Sequence, residues 1–282
     1  IGSVVLGYLN KQGIKDIVVF DDLPNPEQYK NLIGKEFNNI HPHTVDEGLK
    51  MSPDSIDCVI HLGANSNTLE QNWMSIYKTN VQSTRRWSKF CLTAGIPFIF
   101  ASSAAIYGNS NRPLNQYAFS KQVSENEIID GVVLRLFNVY GPNEYHKGRM
   151  ASTIMHWHDR IKNGADVPLF AGSDGYCRDF IYVEDVARII YHFIQNYKPG
   201  VYDVGTGTSV SFATLADELI TQMGKGNTKD VIMPDDLESQ YQTYTKADIA
   251  NLEQSGFDTK SLIPYTEGVR AYITYLDKKL YY

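Results

Sequence analysis

The chain has 282 residues, 43% of them hydrophobic and 21% charged, which excludes disordered, collagenous and coiled-coil classes and allows one large domain or two intimate ones. A net charge of −6, from 26 Lys and Arg against 32 Asp and Glu, speaks against a broad basic face for nucleic acid or anionic lipid. No apolar run reaches the roughly 18 residues of a membrane-spanning helix, no leader pattern opens the chain, and Cys58, Cys91 and Cys177 form no metal-type pair. The sequence therefore reads as a cytoplasmic protein with inert thiols, no bound metal and no membrane partner.

In chain order, apolar periodicity predicts a helix over Gly2–Lys11 and a strand over Ile17–Phe20 that ends in Asp21 and Asp22. A strand over Asp57–Leu62 follows, then a long helix over about 70–93, a strand over Phe98–Ala101, a helix over about 117–128 and a strand over Val132–Leu136. Strands alternating with helices predict an α/β fold with a doubly wound parallel sheet and ligands at its carboxyl edge. From about residue 144 the pattern is less regular: a helix near 150–162, short strands near Pro168 and Cys177, and helices near 184–196, 211–223 and 265–279. We read residues 1–143 as a dinucleotide-binding domain and 144–282 as mainly a substrate-binding lobe, with segments near 177–205 returning to the first domain. The chain opens on a helix, without the strand and glycine-rich turn that bring backbone N–H groups to a pyrophosphate, so that strand and turn are expected to be missing from this sequence.

The strongest chemical signal is Tyr117-Ala118-Phe119-Ser120-Lys121 on a predicted helix, after Ser102-Ser103 at a strand end. Residues four apart share a helix face, so the Lys121 ammonium is expected beside the Tyr117 phenol, favouring its ionised form and making it a usable base. Ser103 would hold a substrate oxygen. An isolated Tyr-x-x-x-Lys is an ordinary surface pair; the order strand, Ser-Ser, Tyr-x-x-x-Lys, strand sets this one apart.

With these residues the chain resembles the extended short-chain dehydrogenase/reductases and, among them, the ADP-L-glycero-D-manno-heptose 6-epimerases. The general marks are His61-Leu62-Gly63-Ala64, Ala101 to Gly108, Tyr117 with Lys121, and Phe137 to Pro142; the heptose enzymes are singled out by His146 to Ser152, Leu169 to Ser173, Arg178-Asp179-Phe180 and Tyr241 to Thr245. The resemblance implies a Rossmann-type sheet, a homo-oligomer and a tightly bound NADP or NAD. It also implies inversion at C6 of an ADP-heptose, in which a hydride leaves C6, the ketone reorients and the hydride returns to the other face. Tyr117 would then serve one half-reaction and Lys147 the other, with Ser103 and Lys121 beside Tyr117. Arg149, His156 and Arg178 would contact the sugar nucleotide, and Asn138, Phe170, Ala171, Gly172, Ser173 and Tyr241 would complete its pocket. By themselves, Lys147 reads as a solvated loop charge and His156 as a packed core histidine.

Asp21 stands where an adenosine ribose would be met, while a surface cap is its plainer reading. The heptose enzymes carry Asp-Asn followed by a lysine, whereas this chain has Asp21-Asp22 and Gln28, which disfavours a 2′-phosphate and makes NAD the more credible cofactor. Ile1, Leu62, Gly63, Ala64, Asn65, Ser66, Thr79, Lys121 and Val139 would line the dinucleotide. The connections over Asn109–Gln116 and Gln122–Asp130 are shorter than the family's. A C4 epimerase of nucleotide sugars and a non-catalytic nucleotide-sugar-binding relative stay open as alternatives. A dehydratase fits less well, because Ala104-Ala105 follow Ser103 where that group carries acidic residues.

Overall fold

In a computed structural model of the chain, residues 1–42, 48–108, 112–234 and 241–282 are described. Asn109 to Asn111, part of the short connection noted above, lie outside them. Four parallel strands carry the site: β3 (Val59–His61), β4 (Phe98–Ser103), β5 (Val132–Leu136) and β9 (Gly200–Val204), hydrogen-bonded in the order β3-β4-β5-β9. In β4 every residue from Phe98 to Ser102 is buried, as a strand covered by helices on both faces requires. Strands β1 (Val18–Phe20) and β2 (Asn39–His41) form a separate parallel pair. Strand β8 (Cys177–Tyr182) pairs with β6 (Asn138–Tyr140) and, antiparallel, with β10 (Ser209–Ser211); β7 (Val167–Phe170) pairs with β11 (Thr228–Val231). The architecture is α/β with parallel, Rossmann-like sheets.

Helix α1 (Gly2–Lys11) buries Val4, Val5, Leu6 and Leu9, and packs with α5 (Val183–Gln195) against the four-stranded sheet. This core draws Ile99, Leu134 and Val204 together with Ile189 and Phe193 from the second half of the chain. A second core joins α4 (Thr153–Lys162), α6 (Phe212–Met223) and α8 (Tyr265–Lys278) around Ile154, Trp157, Leu215 and Tyr272. A short helix α7 (Ala250–Gln254) sits on β9, its Leu252 buried in the first core. No helix among the described residues is long and apolar enough to cross a membrane.

The expected helix over 70–93 begins at Trp73 and is not uniform. As α2 it comprises Trp73–Ile76, a π-helical turn Tyr77–Gln82 and Ser83–Ala94, ending on Gly95 at φ +69°, where a Cβ would be strained. The helix expected over 117–128 is Gln116–Glu125, named α3. The helix expected near 150–162 starts at Thr153 as α4, and Tyr145–Met150 before it forms 3-10 turns broken at Gly148, φ +51°. Five strands are absent from the sequence reading: β10 and β11 are short and largely polar, while β2, β6 and β9 each carry Asn, Asp or Gly that masks their β pattern and gain their hydrogen bonds from distant partners.

Candidate active site

Asn115 starts α3, its Oδ1 accepting from the Ala118 N–H at 2.9 Å, and so sets Tyr117 in the first turn. The Tyr117 phenol shares a hydrogen bond with Ser103 at the end of β4. Burial pushes its pKa up, and the Ser103 bond works the other way. Lys121 is buried; its Nζ donates to the Ala101 carbonyl at 2.7 Å and lies 4.7 Å from the Phe100 ring centroid. Desolvation pulls its pKa down to about 7, opposed by the charge of Glu125. The structure thus joins Ser103 and Tyr117, while the Lys121 ammonium is spent on a β4 carbonyl and not on the phenol the spacing assigned it to.

Among residues expected around a dinucleotide, Asp21 and Gln28 meet: the Gln28 amide donates to Asp21 Oδ1 at 3.2 Å, and Leu23 N–H donates to the same oxygen at 2.8 Å. The plainer reading of Asp21 as a local cap is therefore also satisfied. Asp22 is exposed. Leu62 lies against the first residue of α1, 3.8 Å from where a Gly2 Cβ would stand, and Asn143 donates to Ser3 Oγ at 2.9 Å. The loops after β3 and β6 therefore meet at the start of α1. Asn65 is fixed by Asn80, whose Oδ1 accepts from Asn65 N–H at 2.8 Å and whose Nδ2 donates to Asn65 O at 3.0 Å. Ala64 and Thr79 flank this pair half-buried, while Gly63 and Ser66 are exposed.

Lys147 is no solvated loop charge. Its Nζ pairs with Glu144 Oε1 at 3.1 Å, and the buried Glu144 is held by Tyr272 OH at 3.0 Å and Ser152 N–H at 3.3 Å. Both line a cavity of about 220 Å³ with Asn138, Val139, Met150 and Phe180. A shallower recess beside it collects Ile1, Val139 and Lys147. Ser103 pairs in register with Leu136, two residues before Asn138, so this cavity opens just past the serine strand.

The remaining candidates divide. Arg149 and His156 are exposed; the packed core histidine of α4 is His158, its Nε2 3.0 Å from Asp277 Oδ1. Arg178 is buried, with donors on the carbonyls of Cys177 and Gln242 and its guanidinium between the rings of Phe212 and Tyr241 at 5.5 and 5.2 Å. A diphosphate would have to use its remaining N–H groups. Tyr241 also meets Phe170 and Tyr176 edge-on, so Phe170, Arg178 and Tyr241 form one aromatic cluster. Ser173 is buried, whereas Ala171 and Gly172 are exposed at the rim. Asp179 turns inward: its carboxylate accepts from the N–H groups of Thr206 (2.7 Å), Gly207 (2.8 Å) and Ala247 (3.1 Å) and anchors the loops that frame the cluster.

Sequence reasoning passed over Asn80, Glu125, Arg135 and Glu144. Arg135 had a signal, since a charge inside Val132-Val133-Leu134-Arg135-Leu136 demands a buried partner, and Glu125, one turn past Lys121, supplies it at 2.7 Å. Cys58 and Cys91 are pushed up to about 12 by burial, in keeping with inert thiols.

This chain is similar in structure to the ADP-L-glycero-D-manno-heptose-6-epimerase of Helicobacter pylori, at 25% identity and a TM-score of 0.82, over 98% of this chain and 92% of that one. It is equally similar to the UDP-N-acetylglucosamine 4-epimerase of Methanobrevibacter ruminantium, at 22% identity and TM-score 0.82 over 99% and 95% of the two chains. The UDP-glucuronic acid 4-epimerase of Bacillus cereus, in complex with UDP-glucuronic acid and NAD, matches at 21% identity and TM-score 0.82 over 99% and 96%. The family model for NAD-dependent epimerases and dehydratases matches residues 1–205, well over half of the chain, and the protein belongs to the NAD-dependent epimerase/dehydratase family.

Proposed function

We propose that this protein is an NAD-using epimerase that inverts C6 of an ADP-heptose, working as two lobes: 1–143 for the dinucleotide, and 144–282 mainly for the sugar nucleotide. The observation that carries the reading is Lys147, held by Glu144 on the cavity that Asn138 and Val139 share, just past Ser103 and its partner Tyr117. In a C6 inversion the ketone oxygen would take different positions in the two half-reactions, so that a proton-handling group for each is useful, and Tyr117 and Lys147 would be those two. Ser103 would hold the C6 oxygen, Tyr117 would exchange its proton on one face and Lys147 on the other. Arg178, Phe170 and Tyr241 would seat the nucleotide.

The donor set fits a dinucleotide with free ribose hydroxyls. Asp21 ends β1 as an acceptor, Asp22 adds a second carboxylate, and Gln28 is occupied on Asp21, so the sequence offers a 2′-phosphate no cation at that position. α1 carries no acidic residue in its first turn and no side-chain cap, which suits a diphosphate at a helix start. When bound, the nicotinamide supplies a reversible hydride acceptor.

A C4 epimerase of UDP-sugars is the second reading, favoured by the equal TM-scores of the UDP-sugar 4-epimerases and by needing only Ser103, Tyr117 and Lys121. The test is to incubate the purified protein and NAD with ADP-D-glycero-D-manno-heptose or with UDP-N-acetylglucosamine, following C6 and C4 epimers by NMR. Interconversion of the heptose alone is the expected result; turnover of the UDP-sugar alone overturns it. NAD is expected to bind at least as tightly as NADP, and calorimetric titration giving the reverse order would reject the assignment to Asp21, Asp22 and Gln28.

A further inference from the structure

We propose that Glu125 is a positioning residue of this site: its carboxylate, gripped by Arg135, ties the serine strand to the Tyr117–Lys121 helix and holds the Lys121 ammonium in register with them. Tyr117, Lys121 and Glu125 follow one another at four-residue steps on one face of α3. At the end of β4 both serines reach this helix, Ser103 at Tyr117 and Ser102 donating to Glu125 Oε1. Glu125 Oε1 also accepts from Arg135 Nε at 3.0 Å and Oε2 from Nη2 at 2.7 Å, a bidentate grip across to β5. Arg135 is fixed in turn: its Nη1 donates to Tyr107 OH at 2.9 Å, Tyr107 donates to Asp203 Oδ1 at 2.6 Å, and Asp203 Oδ2 accepts from Asp248 N–H at 3.0 Å. The carboxylate is thus braced from β4, β5, β9 and the segment before α7.

The charged group facing Lys121 is Glu125, one turn on along its own helix, and from β4 come the neutral Ala101 carbonyl and Phe100 ring. Those facing Glu125 are Arg135 and Ser102, with Tyr107 and Asp203 behind Arg135. Glu125 therefore balances two cations. Removing its charge strips Lys121 of its nearby anion, whereas removing the Arg135 charge leaves Glu125 to Lys121 alone. The two changes should move the lysine in opposite directions, which a role in packing alone would not do.

The inference rests on the proposed reading of Tyr117 and Lys121 as the site, but its test needs no turnover. The ε-carbon NMR signal of labelled lysine, assigned with Lys121→Arg, reports the Lys121 titration directly. Glu125→Gln should lower its midpoint by about one pH unit and Arg135→Gln should raise it, with Glu125→Asp restoring most of the wild-type value. If Glu125→Gln fails to fold, the raised midpoint of Arg135→Gln is read alone, and if Arg135→Gln fails, the lowered midpoint of Glu125→Gln is. A Lys121 titration unmoved by whichever of the two folds overturns the proposal. Inactivity of the wild type on every nucleotide sugar would instead remove the functional reading and leave this measurement standing.

Discussion

In the proposed reading the chemistry turns on Tyr117, whose phenol joins the serine strand to the first turn of α3. Tyr117→Phe deletes one hydroxyl whose loss leaves the Ser103 oxygen its bond from the Ala105 N–H, so the fold should persist. Epimerisation should fall by about 10²–10⁴-fold, the usual worth of a positioned acid/base group, with NAD binding little changed. Near-normal rates in the purified variant would remove Tyr117 from its role. Lys147→Met asks the same of the other face. It leaves Glu144 bonded to Tyr272 and Ser152 but without its cation, and should slow C6 inversion about 100-fold or more while ADP-sugar binding, read by calorimetry, is spared. An unchanged rate would make the lysine a partner for Glu144 and nothing more.

At the scale of elements, the π-helical turn of α2 is the joint between the loop after β3 and α3. Within it the Asn80 carbonyl accepts from the hydroxyls of Thr84 at 2.6 Å and Ser124 at 3.1 Å, while its side chain grips Asn65 and donates to Ser120 Oγ at 2.8 Å. One residue inserted into the helical ladder turns this side chain onto both neighbours, a use typical of π turns at functional sites. Asn80→Ala strands the Asn65 N–H and C=O and should cost about 1–3 kcal/mol in urea unfolding. It should also weaken NAD binding through the loosened 62–66 loop. Wild-type stability and affinity together would show that the turn plays no part in holding the loop.

For the whole molecule, the buried Lys121 makes stability depend on pH. Its pKa in the folded chain, about 7, lies below the ordinary 10.5, so between these values the unfolded chain binds the extra proton. The burden of the buried ammonium is therefore full below about pH 7 and is relieved as pH rises toward the unfolded value, so this group's contribution to stability climbs with pH. Comparing wild type with Lys121→Met cancels the other titrating groups. The stability difference between them should shift in favour of the wild type by about 2 kcal/mol from pH 7 to pH 9, read from urea midpoints. A difference flat with pH would mean that Lys121 keeps its proton throughout.

What the sequence determined by itself is what local pattern encodes. The runs Phe98–Ser103 and Val132–Leu136, the glycine that ends α2, and the Ser103, Tyr117 and Lys121 spacing all follow from neighbours within a few residues, and the structure joins Ser103 to Tyr117. Tertiary structure decided the rest, because the deciding partner is far along the chain. β9 exists because Asp203, a poor strand residue, finds Tyr107 and the Asp248 N–H, and because its backbone pairs with β5. Lys147, half-buried, faces a cavity because Tyr272, from the far end of the chain, holds Glu144 beneath it. His156 and His158 sit two apart on one helix, and only the packing of α4 against α8 decides which is exposed and which is buried against Asp277. The Lys121 ammonium, which spacing alone would assign to the phenol, goes to the Ala101 carbonyl because a buried charge must take the nearest strong acceptor, and only the register of α3 on β4 determines which acceptor that is.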